Sequence, residues 1–94
     1  MEQRPLFIPL KKCFFDAFES GQKTKEYRLR GPRWNAATCR PGRSVVLSCG
    51  YGKHRRLRGI IKSFEVDGEP HFLPGWSECY GESQSMAAVI EIDV

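Results

Sequence analysis

Between Gly21 and Arg28 the chain reads Gly-Gln-Lys-Thr-Lys-Glu-Tyr-Arg, which sets an ammonium (Lys23), a carboxylate (Glu26) and a guanidinium (Arg28) close together after a glycine able to end a helix. Glu26 and Arg28 are two apart, so in an extended strand they leave from one face, where a guanidinium can hold a carboxylate with two donors. Such a pair serves equally well as a bridge tying the strand to its neighbours and as part of a binding site. Lys23 has the opposite parity. It enters the same hollow only if the chain reverses after Gly21. Placed there, a lysine can clamp a phosphate as a point charge or, when desolvated, act as a base. The clamp is the preferred reading. In an enzyme, Lys23 and Glu26 would be the catalytic pair, as base or electrostatic stabiliser and as acid–base partner.

A second constellation follows from Gly50 onward. Lys53, His54, Arg55, Arg56 and Arg58 could meet successive phosphates, and Tyr51, flanked by two glycines, offers a ring for a base to stack on. Arg43 adds to the same charge. The competing reading is a hairpin kept in solution by its charge. Trp34, soon after the motif, is a better stacking candidate than Trp76, with core packing the competing role for both. His54 has no carboxylate or second histidine nearby in sequence, which argues against a catalytic base. Cys13, Cys39, Cys49 and Cys79 form no C-x-x-C pair, so neither a metal site nor a cofactor is expected, and buried, reduced thiols are.

Charge is distributed unevenly. The net charge is only +4, yet no lysine or arginine follows Lys62, while acidic residues gather from Glu65 to Asp93. A basic first part suggests an anionic ligand; a merely solvated surface is the alternative. No stretch approaches the roughly 20 apolar residues of a membrane span, and the N-terminus lacks the apolar core of a signal peptide. A cytoplasmic monomer is expected, with residues 1–94 forming one domain.

The elements that must position these groups can be read in order. Leu6–Leu10 is an apolar strand candidate with Pro9 at an edge or end. From Lys11 to Ser20, Phe14, Phe15 and Phe18 lie on one helical face, and Gly21 sits where a left-handed cap costs least. Lys23 to Arg30 reads as a strand with Thr24, Glu26, Arg28 and Arg30 on one face and Lys25, Tyr27 and Leu29 on the other. Pro32 can open a short helical turn carrying Trp34, Ala36 and Ala37. Arg40–Arg43 is a type II turn. Ser44–Cys49 and Leu57–Val66 form an antiparallel hairpin, with Ile60, Phe64 and Val66 on one face that Lys62 interrupts. Residues 67–85 form a long loop with Phe72, Trp76 and Tyr80, expected to fold over the body with a helical turn near Trp76 to Tyr80. Met86–Val94 is the last strand: Ala88, Ile90, Ile92 and Val94 on one face, Val89, Glu91 and Asp93 on the other. Closing the strands into a small barrel removes exposed edges. Glu78, Tyr80, Ser83 and Ser85 fall where the loop rejoins the barrel and could supply an acid or hydroxyl to the cleft.

The G-x-K-x-x-E-x-R pattern (Gly21, Lys23, Glu26, Arg28), after an aromatic helix and before P-G-x-x-V-V-L (Pro41 to Leu47), resembles the ASCH domain, a branch of the PUA-like superfamily. The resemblance runs from Leu6 to Phe64 and returns at the last strand. It implies an α+β, mainly β fold: a five- to six-stranded PUA-like barrel with one or two short flanking helices and a cleft lined by the motif. It also implies an RNA, nucleotide or modified-nucleoside ligand. Some members are ribonucleases or amidohydrolases acting on N4-acetylcytidine. This chain departs from the amidohydrolase branch, since Glu26 stands where that branch has its threonine nucleophile and Thr24 directly follows Lys23. Relatives often carry an acid where this chain has Arg43.

Three functions follow. The first is an RNA- or nucleotide-binding domain with a basic cleft, Lys23 and Arg28 holding anionic groups and Glu26 orienting them. The second is a ribonuclease or, less in keeping with the motif, a hydrolase of modified nucleosides in the same cleft. The third is a non-catalytic module whose basic face meets an acidic protein partner.

Overall fold

In a computed structural model, residues 4–69, 73, 76 and 86–94 are described. They form strands β1 (Leu6–Leu10), β2 (Lys25–Leu29), β3 (Ser44–Cys49), β4 (Arg56–Asp67) and β5 (Ala87–Asp93), with one helix, α1 (Lys12–Ser20), between β1 and β2. The sheet order is β1-β3-β4-β5-β2. β1 and β3 run parallel, and the other neighbours are antiparallel. The sheet curls into a half-barrel rather than closing by its own ladder, so β1 and β2 are its two edges.

The aromatic helix forms as the spacing suggests, since Phe15 and Phe18 are buried and Phe14 partly so. They pack with Leu6, Ile8 and Leu10 of β1, Val45 and Leu47 of β3, Ile61 of β4 and Ile90 and Ile92 of β5. Removing these side chains from water is the main stabilising contribution. Gly21 ends the helix with φ 83°, a conformation glycine adopts without the Cβ penalty. Its N–H bonds the Phe18 carbonyl, and Lys23 N–H reaches back 3.0 Å to the Ala17 carbonyl. Those two bonds make the chain reversal.

After the reversal, register pairing with β5 runs from Lys25 to Leu29 and single backbone bonds at Thr24 and Arg30 extend it, leaving Lys23 outside the ladder. β5 is buried on both faces along its first half. Ile90 and Ile92 join the main core, whereas Ala87 and Val89 join a second cluster with Trp76, Leu73, Tyr27 and Leu29. A strand with neighbours on both sides and covers on both faces carries no polar face there.

Three expectations are corrected. Pro32 opens no helical turn. Residues 31–39 form successive turns organised by Asn35, whose Oδ1 accepts from Ala37 and Thr38 N–H and whose Nδ2 donates to the Gly31 and Pro32 carbonyls. A short amide side chain competes with the helical ladder for those backbone groups. On β4, Ile60, Phe64 and Val66 do not share a buried face. A register shift between Ile61 and Ser63 inverts the alternation, so Ile61 before it and Phe64 after it face the core while Ile60 points outward; Val66 keeps the side of Phe64 yet is exposed. Of the thiols, Cys39 is buried but Cys13 is exposed and Cys49 intermediate. The turn at Arg40–Arg43 forms, with Arg43 N–H bonded to the Arg40 carbonyl and Gly42 at φ 92°. The expected helical turn of 76–80 lies outside the described residues, as do Glu78, Tyr80, Ser83 and Ser85. Among the described residues no helix is long and apolar enough to cross a membrane.

An ion-pair hub anchors the β3–β4 loop to α1. Asp16 pairs with Lys12 at 2.8 Å and with Arg55 at 2.9 Å, and Arg55 also pairs with Glu19. The hydrogen bond from Lys12, aided by Arg55, holds the Asp16 carboxyl below its ordinary 3.8. A lowered folded-state value means that this contribution is present above about pH 4 and is lost as pH falls through the folded-state value. Acidification from pH 5 to pH 2.5 should therefore lower the urea midpoint less in Asp16→Asn than in the wild-type chain. Equal slopes would show that the hub contributes nothing measurable.

Candidate functional site

Glu26 begins the inward-facing row of β2. It pairs across the ladder with Ile90, and Arg28 with Ala88. The Arg28 Nε donates to Glu26 Oε2 at 2.8 Å and its Nη2 lies 2.7 Å from the same oxygen. That Nη2 also donates to the Pro9 carbonyl of β1. One guanidinium therefore spans from one sheet edge to the other and fastens the seam that backbone pairing leaves open. Its other surface lies against Trp34, with Cζ 4.9 Å from the ring centroid, a favourable cation–π arrangement.

Lys23 reaches the same place from outside the ladder. Its Nζ is 3.7 Å from Glu26 Oε1, on the carboxylate oxygen that Arg28 does not use. The ammonium lies 4.6 Å from the Tyr27 ring centroid, 5.2 Å from Phe14 and 5.6 Å from Phe18. The side chains of Lys23, Glu26 and Arg28 keep 14%, 7% and 18% of their exposure. The three charged groups thus meet at a partly open seam, carboxylate deepest and the two cations nearer solvent. The site holds more positive than negative charge. Burial, and after it the Glu26 charge, pushes the Tyr27 hydroxyl above its ordinary value, so it stays a neutral donor at physiological pH.

The remaining basic candidates divide. Arg43 directs Nε and Nη2 to the Arg4 carbonyl and Nη1 to that of Thr38, fastening the N-terminal segment to the 31–39 turns. Arg55 is held by Asp16 and Glu19 and lies over Phe15. Both guanidiniums are employed in holding the fold. Lys53, Arg56 and Arg58 are exposed, as is His54, and Tyr51 retains 79% of its surface. They lie at the β3–β4 end of the sheet, apart from the motif residues on β2. Trp34 joins the motif group, whereas Trp76 is buried in the second cluster.

Two participants were not singled out from the sequence. Phe14 flanks the Lys23 ammonium; it could have been found as the phenylalanine at the margin of the helical stripe, about two turns before the reversal. The Pro9 carbonyl holds Arg28, and no residue-level pattern marks a backbone acceptor across the seam. Among the described residues no group of three or more His, Cys, Asp or Glu side chains is arranged to hold a metal. Thr24 is exposed, and its carbonyl accepts from Ile92 N–H, which extends the β2–β5 ladder. No protein-family model matches the chain, and no curated protein matches it significantly.

Proposed function

We propose that this chain is an ASCH-type, PUA-like domain that binds RNA or a nucleotide in the cleft at the β1–β2 seam. The observation that carries the reading is the meeting of Lys23, Glu26, Arg28 and Trp34 at that seam, partly open to solvent. Lys23 and Arg28 receive a phosphate through the faces they turn to solvent, Glu26 holds both cations in position, and Trp34 flanks the site with an aromatic surface. The surroundings of Lys23, a carboxylate oxygen and three rings, are those that suit an ammonium cation. They fit a phosphate clamp better than a general base, which favours binding over ribonuclease or amidohydrolase chemistry. The cytoplasm, where RNA and nucleotides are plentiful, suits such a domain.

The reading is tested by titrating a short single-stranded RNA and a nucleoside monophosphate into the protein at two salt concentrations. Binding is expected at low salt. Lys23→Ala, checked for folding, should lower affinity and reduce the salt slope by about 0.7, one single-strand phosphate contact. Unaltered binding by folded Lys23→Ala would overturn the cleft assignment. Incubation of the wild-type protein with RNA and with N4-acetylcytidine is expected to leave both intact; turnover abolished in Lys23→Ala would replace the binding role with a catalytic one.

A further inference from the structure

The outer face of β1, β3 and β4 carries a second set of side chains that the seam does not use. Because Leu6, Ile8 and Leu10 point into the core, Phe7 and Pro9 are left on the other face. The register aligns Phe7 with Val46 of β3 and, beyond it, Arg58 of β4; it aligns Pro9 with Ser48 and Arg56. Arg56, Arg58 and Ile60 alternate along β4 with all three exposed, and Lys62 is exposed at the register shift. Tyr51 reaches over from the β3–β4 loop, its ring centroid 6.2 Å from that of Phe7 and inclined by 39°. The Arg56 guanidinium lies 5.3 Å from the Phe7 ring centroid. Guanidinium, phenyl ring and phenol thus form a connected group, and the phenol at its end is 79% exposed.

Charge complementarity selects the occupant. Among the described residues, the acids of the outer face lie towards β5 and the far end of β4: Asp93 stands opposite Ile60, Glu91 opposite Ser63, and Glu65 and Asp67 follow on β4 beyond the register shift. The strip from Tyr51 along β4 as far as Lys62 is basic. Arg56 and Arg58, two residues apart on one strand face, stand about 6.8 Å apart along the strand, an interval suited to successive phosphates of an extended chain. A polyanion alone would need the cations but not the exposed ring. A duplex has its bases stacked inward, where the ring cannot reach them. A single strand supplies phosphates and unstacked bases together.

We propose that the outer face of β1–β3–β4 is a platform for single-stranded nucleic acid, with one base stacked on Tyr51 and adjoining phosphates on Arg56 and Arg58. Phe7 flanks the tyrosine ring, and Arg56 lies in turn against Phe7. Lys53 and Lys62 extend the charge at either end. The platform shares with the seam only the class of ligand; it is a different surface, with β1 between them.

Fluorescence anisotropy with a labelled uridine decamer, at several salt concentrations, tests this, using Tyr51→Ala, Arg58→Ala and Lys23→Ala, each checked by circular dichroism. A duplex of equal length and heparin serve as competitors. Tyr51→Ala is expected to weaken binding roughly tenfold with little change in salt slope, the signature of lost stacking. Arg58→Ala should weaken binding and flatten the slope by about 0.7. The duplex should compete less well than the single strand. Losses in Tyr51→Ala and Arg58→Ala, with Lys23→Ala unchanged, would uphold the platform and remove the seam. Loss in Lys23→Ala alone would overturn the platform while keeping the seam. Equal competition by heparin, with Tyr51→Ala binding like wild type, would also overturn it and point to general polyanion or acidic-partner binding.

Discussion

Replacing Glu26 with alanine is expected to destabilise the domain by about 3 kcal/mol, the lower end of the range for removing one partner of a buried ion pair. The carboxylate is almost fully enclosed and is shared by Lys23 and Arg28. Without it, two cations face each other across an emptied space next to the core, with only limited water to reach them. Because Arg28 also holds the Pro9 carbonyl, a displaced guanidinium would open the seam between the sheet edges as well. Urea unfolding provides the measurement, with an unchanged m-value showing that stability rather than compactness moved. A loss below about 1 kcal/mol would place the triad among ordinary exposed ion pairs. The double variant Glu26→Leu with Arg28→Met should regain much of the loss, since a buried pair can often be replaced by apolar residues of similar size. If it regains stability but no longer binds RNA, the charges are kept for function.

Phe18→Ala should cost more, about 3–5 kcal/mol, as expected for a fully enclosed aromatic ring. A domain of this size has about 5–15 kcal/mol in all, so the variant would lie near its unfolding threshold at physiological temperature. The Phe18 ring also lies 5.6 Å from the Lys23 ammonium. Its loss therefore takes one ring from the surroundings that hold Lys23 beside Glu26, while the backbone carbonyl that accepts the Gly21 N–H remains. Phe14→Ala is the control: the ring is partly exposed and its removal should cost less, while still taking one ring from beside the ammonium. Thermal unfolding of both variants measures the difference. Equal losses would mean that the helix is held by its stripe as a whole rather than by its enclosed rings.

Much of the local structure was legible in the residues. The Phe14, Phe15 and Phe18 spacing marks the helix, and Gly21 marks its end because a left-handed residue there is cheapest for glycine. The Ser44–Cys49 strand and its hairpin partner follow from apolar runs bounded by turn residues. The parity of Glu26 and Arg28 places them on one face, where they do pair. What failed was long-range. In the run Leu57–Val66 only Lys62, which interrupts the apolar face, marks the place of the shift between Ile61 and Ser63, and it does not reveal a bulge, which depends on the neighbouring strand as much as on its own residues. The burial of Val89 was likewise invisible, since its cover, Trp76, comes from a distant segment.

The basic residues illustrate the same division. By sequence, Arg43, Arg55, Arg56 and Arg58 are equivalent cations. Packing separates them: Arg43 ties backbone carbonyls together, Arg55 pairs with α1, and Arg56 and Arg58 face outward. Local chemistry determined the helix, the reversal at Gly21 and the shared face of the motif, because these depend on dihedral preference and on alternation along a few residues. Only the curl of the sheet decided that Arg28 meets Pro9 and that Phe7 stands beside Tyr51. Those contacts join segments far apart in the chain, and their positions follow from the burial of a common core rather than from the residues on either side.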